Sequence, residues 1–296
     1  MHPGKFIFAG LRQAAFLLML LISLSSASID AKPATDAAAN NTSRPKIGLV
    51  LSGGGARGFA HIGVLKTIEQ LRIPVDVVVG TSMGSIVGGL YAIGLSPGEI
   101  EQGVHSIDWE IVFNDYARRE FRSYRRKQDD YLFTAPNRVG VSKEGLKLPP
   151  GLIEGQQIEL ALDRLAYPGF HINHFDKLRI PFRAIATDIE TGDAVILDGG
   201  NLAKAMRASM SIPAALPPVK HDGKLLVDGG IGNNIPIDVA RDMGADIVIV
   251  VDVSAPLAGQ EDLQSSIGIT AQLTTILTRR DADRQLKTLS SDDVLI

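Results

Sequence analysis

The sequence of 296 residues contains no cysteine. That excludes disulfides, thiolate zinc sites, a cysteine nucleophile and a lipidated N-terminal cysteine. It also lacks a strong charge of either sign. A net charge of -3 argues against non-specific nucleic-acid binding. Beyond residue 24 no segment is long and apolar enough to span a bilayer. No internal repeat is visible, and no histidine follows His221. What remains is ordinary: 45% hydrophobic and 21% charged residues, enough for one sizeable core.

The N-terminus has three parts. Lys5 and Arg12 precede an apolar run, Ala14 to Leu24, interrupted only by Ser23. Small residues then lead to Ala27. This is the pattern of a secretory signal peptide over 1–27, cleaved after Ala27. Residues 28–44 are polar, small and aperiodic, and read as a flexible linker. Export follows as an expectation, with a periplasmic, outer-membrane-associated or secreted destination.

From Pro45 the grammar changes. "KIGLVLS" and "PVDVVVG" are buried-strand runs, each ended by glycine and followed by helical spacing. In the first helix Ile62, Leu65, Ile68 and Leu71 share a face. The second runs from Ser82 to Ile93 and is stopped by Gly94 and Pro97. After a less regular middle, the alternation resumes with strands in "PFRAIATDI", "DAVILD", "KLLVD" and "DIVIVVDVS". Asp222-Gly223 signals a hairpin. The pattern predicts an α/β domain over 45–256, a three-layer sandwich with a mostly parallel sheet and helices on both faces. Residues 257–296 read as a C-terminal helical segment. The closing "DDVLI" looks like the start of a strand, which reads as a truncation.

Two glycine motifs carry the chemistry. Gly53, Gly55 and Gly58 satisfy G-x-G-x-x-G between a strand and a helix. A dinucleotide site would need an acid after the second strand, and "GTSMG" offers none. A Walker loop would need Lys-Ser/Thr where Phe59-Ala60 stands. What is left is a row of bare N–H groups at a helix start, suited to an anion or a developing oxyanion.

"GTSMG", Gly80 to Gly84, fits G-x-S-x-G at a strand–serine–helix turn. Such a turn strains the serine and needs small neighbours. Ser82 therefore reads as a nucleophile rather than a helix cap. Gly84, Gly88 and Gly89 point to close packing beneath it, since interior helical glycine costs about 1 kcal/mol relative to alanine.

The base is less obvious. His2, His61, His105, His171, His174 and His221 all read as surface residues. A triad survives only as Ser82, Asp188 and His221. The other option is a dyad with one of the carboxylates near strand ends: Asp188, Asp198, Asp228 or Asp252. Asp228 stands out, because it ends "LLV" and precedes the small residues of "GGIGNNIP". An exposed aspartate with pKa about 3.9 is a poor base at neutral pH; burial would improve the match.

The ordered set "GGGARG" (Gly53–Gly58), "GTSMG" and "DGG" (Asp228–Gly230) resembles the patatin-like phospholipases over about Lys46 to Val253. "ATDIETG" and "KAMRASMSIPAALPPV" resemble its bacterial branch, and the signal-peptide pattern and unfinished C-terminus resemble exported bacterial members, some of which carry an outer-membrane translocator after this domain. The resemblance implies a Ser82–Asp228 dyad cleaving acyl esters of lipids, with Ser82 as nucleophile and Asp228 as general base. It places the oxyanion hole at Gly53, Gly54, Gly55, Arg57 and Gly58, and makes Gly80, Gly84, Gly229 and Gly230 motif residues. It implies no metal or cofactor, and a phospholipid or other acyl-ester lipid as substrate. A non-catalytic lipid- or anion-binding domain on the same fold is the competing reading. Arg118, Arg119, Arg122, Arg125, Arg126 and Lys127 form a basic cluster that could touch anionic headgroups.

Overall fold

The computed structural model describes residues 44–114, 119–125, 127–128, 140–142, 145–147, 151 and 153–296. Residues 1–27 and 28–44, expected as signal peptide and linker, lie outside this set except for the last. So do Arg118 and Arg126, and the side chain of Arg119. Pro45–Ile296 form one compact unit.

In chain order the regular elements are β1 (Ile47–Leu51), α1 (Ala60–Gln70), β2 (Val77–Thr81), α2 (Met83–Ala92), α3 (Pro97–His105), α4 (Trp109–Asn114), β3 (Gly140–Ser142), β4 (Gly145–Lys147), α5 (Gln156–Ala166), β5 (Phe182–Asp188), β6 (Ala194–Leu197), α6 (Leu202–Ser209), β7 (Val219–His221), β8 (Lys224–Asp228), α7 (Ile237–Asp242), β9 (Ile247–Val251), α8 (Ser266–Leu286) and β10 (Val294–Leu295). The strand β10 confirms the strand reading of "DDVLI". Leu71 corrects the first helical face: it caps α1 and is 67% exposed.

Eight strands form the main sheet in the order β10-β9-β1-β2-β5-β8-β7, with β6 also on β5. The first five are parallel; β6 and β8 pair antiparallel with β5, and β7 pairs antiparallel with β8. The sheet is thus mostly parallel, with one antiparallel flank. The hairpin β7–β8 turns at Asp222 and Gly223, both with positive φ (47° and 80°), the primed turn that suits a right-twisted ribbon.

Successive residues of the central strands alternate between two apolar clusters. Leu49, Leu51, Val78, Ile249 and Val251 face one, with α1, α2, α3, α5 and α6. Val50, Val77, Val79, Val248 and Val250 face the other, with Ile237, Val239 and Ala282 of α7 and α8. A strand's side chains alternate faces, so a continuous apolar run is buried only when both faces are covered. That is the three-layer arrangement.

The C-terminal residues 257–296 pack into this same unit. Asp293 anchors them: its carboxylate accepts from Arg241 Nη2 at 2.7 and 2.6 Å and from the N–H groups of Val248 and Ser290 at 2.8 and 2.7 Å. Those bonds hold Asp293 below its usual pKa although burial opposes this, and set β10 beside β9.

Candidate active site

The site is built where two strands collide. β5 pairs with β2 through Phe182–Ile185 and with β8 through Ala186–Asp188. β6 occupies the other edge of the same stretch. So β2 and β8, running in opposite directions, meet end to end along one edge of β5. Thr81 stands opposite Ile185, and Asp228 opposite Ala186. The residue after Thr81 is Ser82. Its Oγ donates to Asp228 Oδ2 at 2.7 Å, across 146 residues of sequence.

Ser82 has φ 52° and ψ −120°. A side chain in that region costs about 1–3 kcal/mol and persists only when its surroundings impose it. Here they do. Ser82 N–H donates to Ser209 Oγ at 2.8 Å, and Ser209 Oγ donates in turn to the Ile185 carbonyl. Ser85 Oγ holds the Ser82 carbonyl at 2.6 Å. Ser82 sits at the N-terminus of α2, yet its side chain makes no cap hydrogen bond. The hydroxyl is spent on Asp228.

The expected glycine packing is present. A Cβ on Gly80 would strike the Gly84 carbonyl, and one on Gly84 the carbonyls of Leu51 and Ser52. Cβ atoms on Gly88 and Gly89 would press Val78 at 2.9 Å and Met206 at 3.1 Å. Gly229 lies against the backbone of Ile185. Gly80, Gly84 and Gly229 stand where two backbones approach too closely for a side chain, while Gly88 and Gly89 make room for neighbouring core side chains.

Asp228 is buried. Burial pushes its carboxyl up to about 6, while hydrogen bonds from Ser82 Oγ and Gly230 N–H (2.8 Å to Oδ1) pull the other way. Its carbonyl accepts from Thr187 Oγ1 at 2.8 Å, and its N–H donates to the Ser211 carbonyl at 2.9 Å. Every atom that orients the carboxylate is fixed.

Ser82 and Asp228 lie in a cavity of about 480 Å³. Gly53, Gly54, Gly55 and Arg57 form one wall, Ile212–Ala215 another, and Thr274, Thr275 and Thr278 of α8 a third. Gly54 caps a short 3-10 turn, Gly55–Phe59, and Gly55 has φ 57°. The first N–H groups of such a turn have no partner inside it. Two anchors hold the loop: Ser52 Oγ accepts from Val253 N–H at 2.8 Å, and Arg57 Nε donates to the Val253 carbonyl at 3.3 Å. Gly58 departs from expectation. It is packed under Met83 and does not line the cavity.

The alternative triad does not assemble. Neither Asp188 nor His221 lines the cavity. Asp188 Oδ1 accepts from Glu190 N–H at 3.1 Å, a turn cap, and His221 lies in the hairpin beside Asp222. Asp252 likewise caps its own turn through Ser254 N–H, and Asp198 is exposed. His61 corrects the reading of all histidines as surface residues. It is fully buried, and its Nε2–H donates to the Ser52 carbonyl at 2.9 Å. Burial lowers its pKa, so it is neutral. Sequence reasoning missed it, and missed that the C-terminal helix α8 walls the cavity. The signal for His61 was its place next to Ile62 at the start of an apolar helical face. Among the described residues no helix is long and apolar enough to cross a membrane, and no cluster of three His, Asp or Glu could hold a metal ion.

Fold and site together define an α/β protein with a strained serine on a buried carboxylate, beside a glycine loop. The patatin-like phospholipase family model matches residues 49–241. The chain belongs to that family. It is 37% identical over 211 residues to patatin-like phospholipase domain-containing protein ZK370.4 of Caenorhabditis elegans, covering 71% of this chain and 14% of that one. It is 35% identical over 214 residues to the human patatin-like phospholipase domain-containing protein 6, covering 71% and 13%. Lysophospholipase NTE1 of Cryptococcus neoformans is 33% identical over 216 residues, covering 71% and 11%. The chain therefore spans about one seventh or less of the length of these relatives. Among solved structures, VipD of Legionella pneumophila matches 72% of this chain and 51% of its own, at 16% identity and TM-score 0.43.

Proposed function

We propose that the protein is a serine acyl-hydrolase of lipids. The observation that carries this is the 2.7 Å bond from Ser82 Oγ to a buried Asp228, beside the glycine loop in a cavity with mainly apolar walls. Family membership and the names of the relatives support a phospholipid or lysophospholipid substrate.

In this reading Asp228 takes the Ser82 proton as Oγ attacks the ester carbonyl. N–H groups of Gly54 and Gly55 receive the oxyanion. Asp228 then returns the proton to the departing alcohol, leaving an acyl-serine. Water repeats the sequence and releases a fatty acid. A carboxyl near 6 is ionised at neutral pH yet basic enough to accept a proton, which an exposed aspartate is not.

The test is hydrolysis of a soluble short-chain ester and of a phospholipid by wild type, Ser82→Ala and Asp228→Asn. Both variants are expected to lose at least about 1000-fold in kcat. Equal activity in all three would overturn the reading.

Two finer proposals accompany it. The N-terminal pattern supports export with cleavage after Ala27; N-terminal sequencing that finds Met1 on the exported protein would refute it. The basic residues 118–127 support peripheral contact with anionic headgroups; charge reversal that leaves vesicle binding unchanged would end that idea.

A further inference from the structure

Helix α8 has two unlike faces. Its inner face supplies Thr274, Thr275 and Thr278 to the cavity wall and Ala282 to the core, with Asp281 and Gln285 also buried. Its outer face carries Ile269, Leu273, Ile276 and Leu277, exposed by 49, 57, 38 and 46%. Their spacing of 4, 3 and 1 places all four on one helical stripe. Single exposed apolar residues are ordinary, but an apolar stripe on a soluble surface marks a contact.

The stripe changes character along the axis. The next turns of the same face carry Arg280, Arg284 and Lys287, all exposed, with one exposed acid, Asp283. Arg284 also pairs with Asp281, which lies on the inner side. Arg279 reaches the Ala255 carbonyl at 3.5 Å. So two apolar turns are followed by a basic collar. Exposed apolar residues also border the cavity: Ile212 lines it and is 40% exposed, and Leu257, two residues after the lining residue Ala255, is 52% exposed.

We propose that this outer face of α8 docks on an anionic lipid bilayer, and so holds the cavity one helix away from lipid. The proposal rests on the hydrolase reading of the site. The occupant is chosen by charge order. Apolar turns seat among acyl chains while adjacent Arg and Lys extend to headgroup phosphates and anionic headgroups. The same helix walls the cavity, so docking it anchors the Ser82 chamber close to the interface.

The experiment uses the intact protein. Binding to vesicles of phosphatidylcholine, with or without phosphatidylglycerol, is measured by sedimentation on Ser82→Ala protein, so that hydrolysis does not interfere. Leu273→Glu/Ile276→Glu is expected to reduce binding at least about tenfold on both vesicle types. Arg280→Glu/Lys287→Glu is expected to reduce it at least about tenfold on phosphatidylglycerol vesicles only. In the Ser82 background both double variants keep soluble-ester turnover within about twofold of wild type, which also reports that they fold. Unchanged vesicle binding in both variants overturns the proposal. So does a wild-type dimer, seen by light scattering, that the apolar variant dissociates, because the face then belongs to a second copy. The two readings separate cleanly. Soluble-ester turnover by Ser82→Ala tests the catalytic serine, and vesicle binding tests the face.

Discussion

Two neighbouring strands end in glycine-rich turns, and they are put to opposite uses. After β1, Gly53–Gly55 are bare backbone at the start of a 3-10 turn, and they line the cavity with main chain. After β2, the glycines flank a serine, and the turn lines the cavity with a side chain. The strained φ falls on Gly55 in the first turn and on Ser82 in the second. A glycine adopts that region freely; a serine must be forced into it. Ser209, Ser85 and Asp228 supply the force at β2. The first turn needs no such force, only anchors to the chain after β9. One strand–turn–helix grammar thus yields a held hydroxyl or an open row of N–H groups, depending on where the side chain stands.

The comparison breaks most severely at Gly84. A methyl there presses the Leu51 and Ser52 carbonyls, which join the two turns. Gly84→Ala is expected to destabilise by about 3 kcal/mol or more, read as a lower midpoint in denaturant unfolding. Next comes Gly54. A Cβ at that position meets the Val253 carbonyl and displaces the loop. Gly54→Ala is expected to lower kcat by about 100- to 1000-fold with little change in KM. Gly55→Ala is the control, since a Cβ there meets nothing within 4 Å. It carries only the cost of its φ, roughly 1–2 kcal/mol. Equal kinetic losses in the two variants would deny the backbone role.

Asp228 sharpens the second turn through pH. Its folded pKa, about 6, lies above the unfolded value. The folded state therefore holds a proton that the unfolded state has released between pH 3.8 and about 6. Asp228 contributes stability below that window and loses it as pH rises through about 6. Asp228→Asn is expected to raise Tm at pH 7.5 by roughly 5 °C, while activity collapses. In wild type, kcat/KM should rise with pH through about 6 and then level. A rate independent of pH between 5 and 7 would remove Asp228 as the ionising base.

The first turn responds to pH with the opposite sign. His61 is neutral and buried, with its folded pKa below 6.5. Below pH 6.5 the unfolded chain takes up a proton that the folded chain refuses, so stability falls as pH drops. His61→Phe should cost about 1–3 kcal/mol at pH 7.5 by stripping the Ser52 carbonyl of its donor. It should also abolish this acid-side loss. Parallel stability curves for wild type and variant between pH 7 and 5 would contradict the assignment.

Much of this was legible without coordinates. The continuous apolar runs of β1, β2 and β9 require cover on both faces. The Asp222-Gly223 dipeptide fixes the hairpin that aims β8. Turn geometry points to Ser82 and the glycine loop, because it tolerates so few residue types there, and the family resemblance of the three motifs adds Asp228. What was not legible depends on distant chain segments. His61 looks like any polar residue on a helix until the Ser52 carbonyl is placed beneath it. The segment 257–296 reads as helical and holds α8, yet nothing in its spacing says that Thr274, Thr275 and Thr278 wall the cavity.

The sequence by itself determined the local chemistry: which strands are buried, where the turns strain, and which hydroxyl stands between glycines. Only the tertiary structure brings that hydroxyl to its partner, 146 residues away. Asp228 was chosen over Asp188, Asp198 and Asp252 because β2 and β8 share one edge of β5 and run toward each other. Strand pairing is a long-range, cooperative choice made by the whole sheet, and no window of sequence contains it.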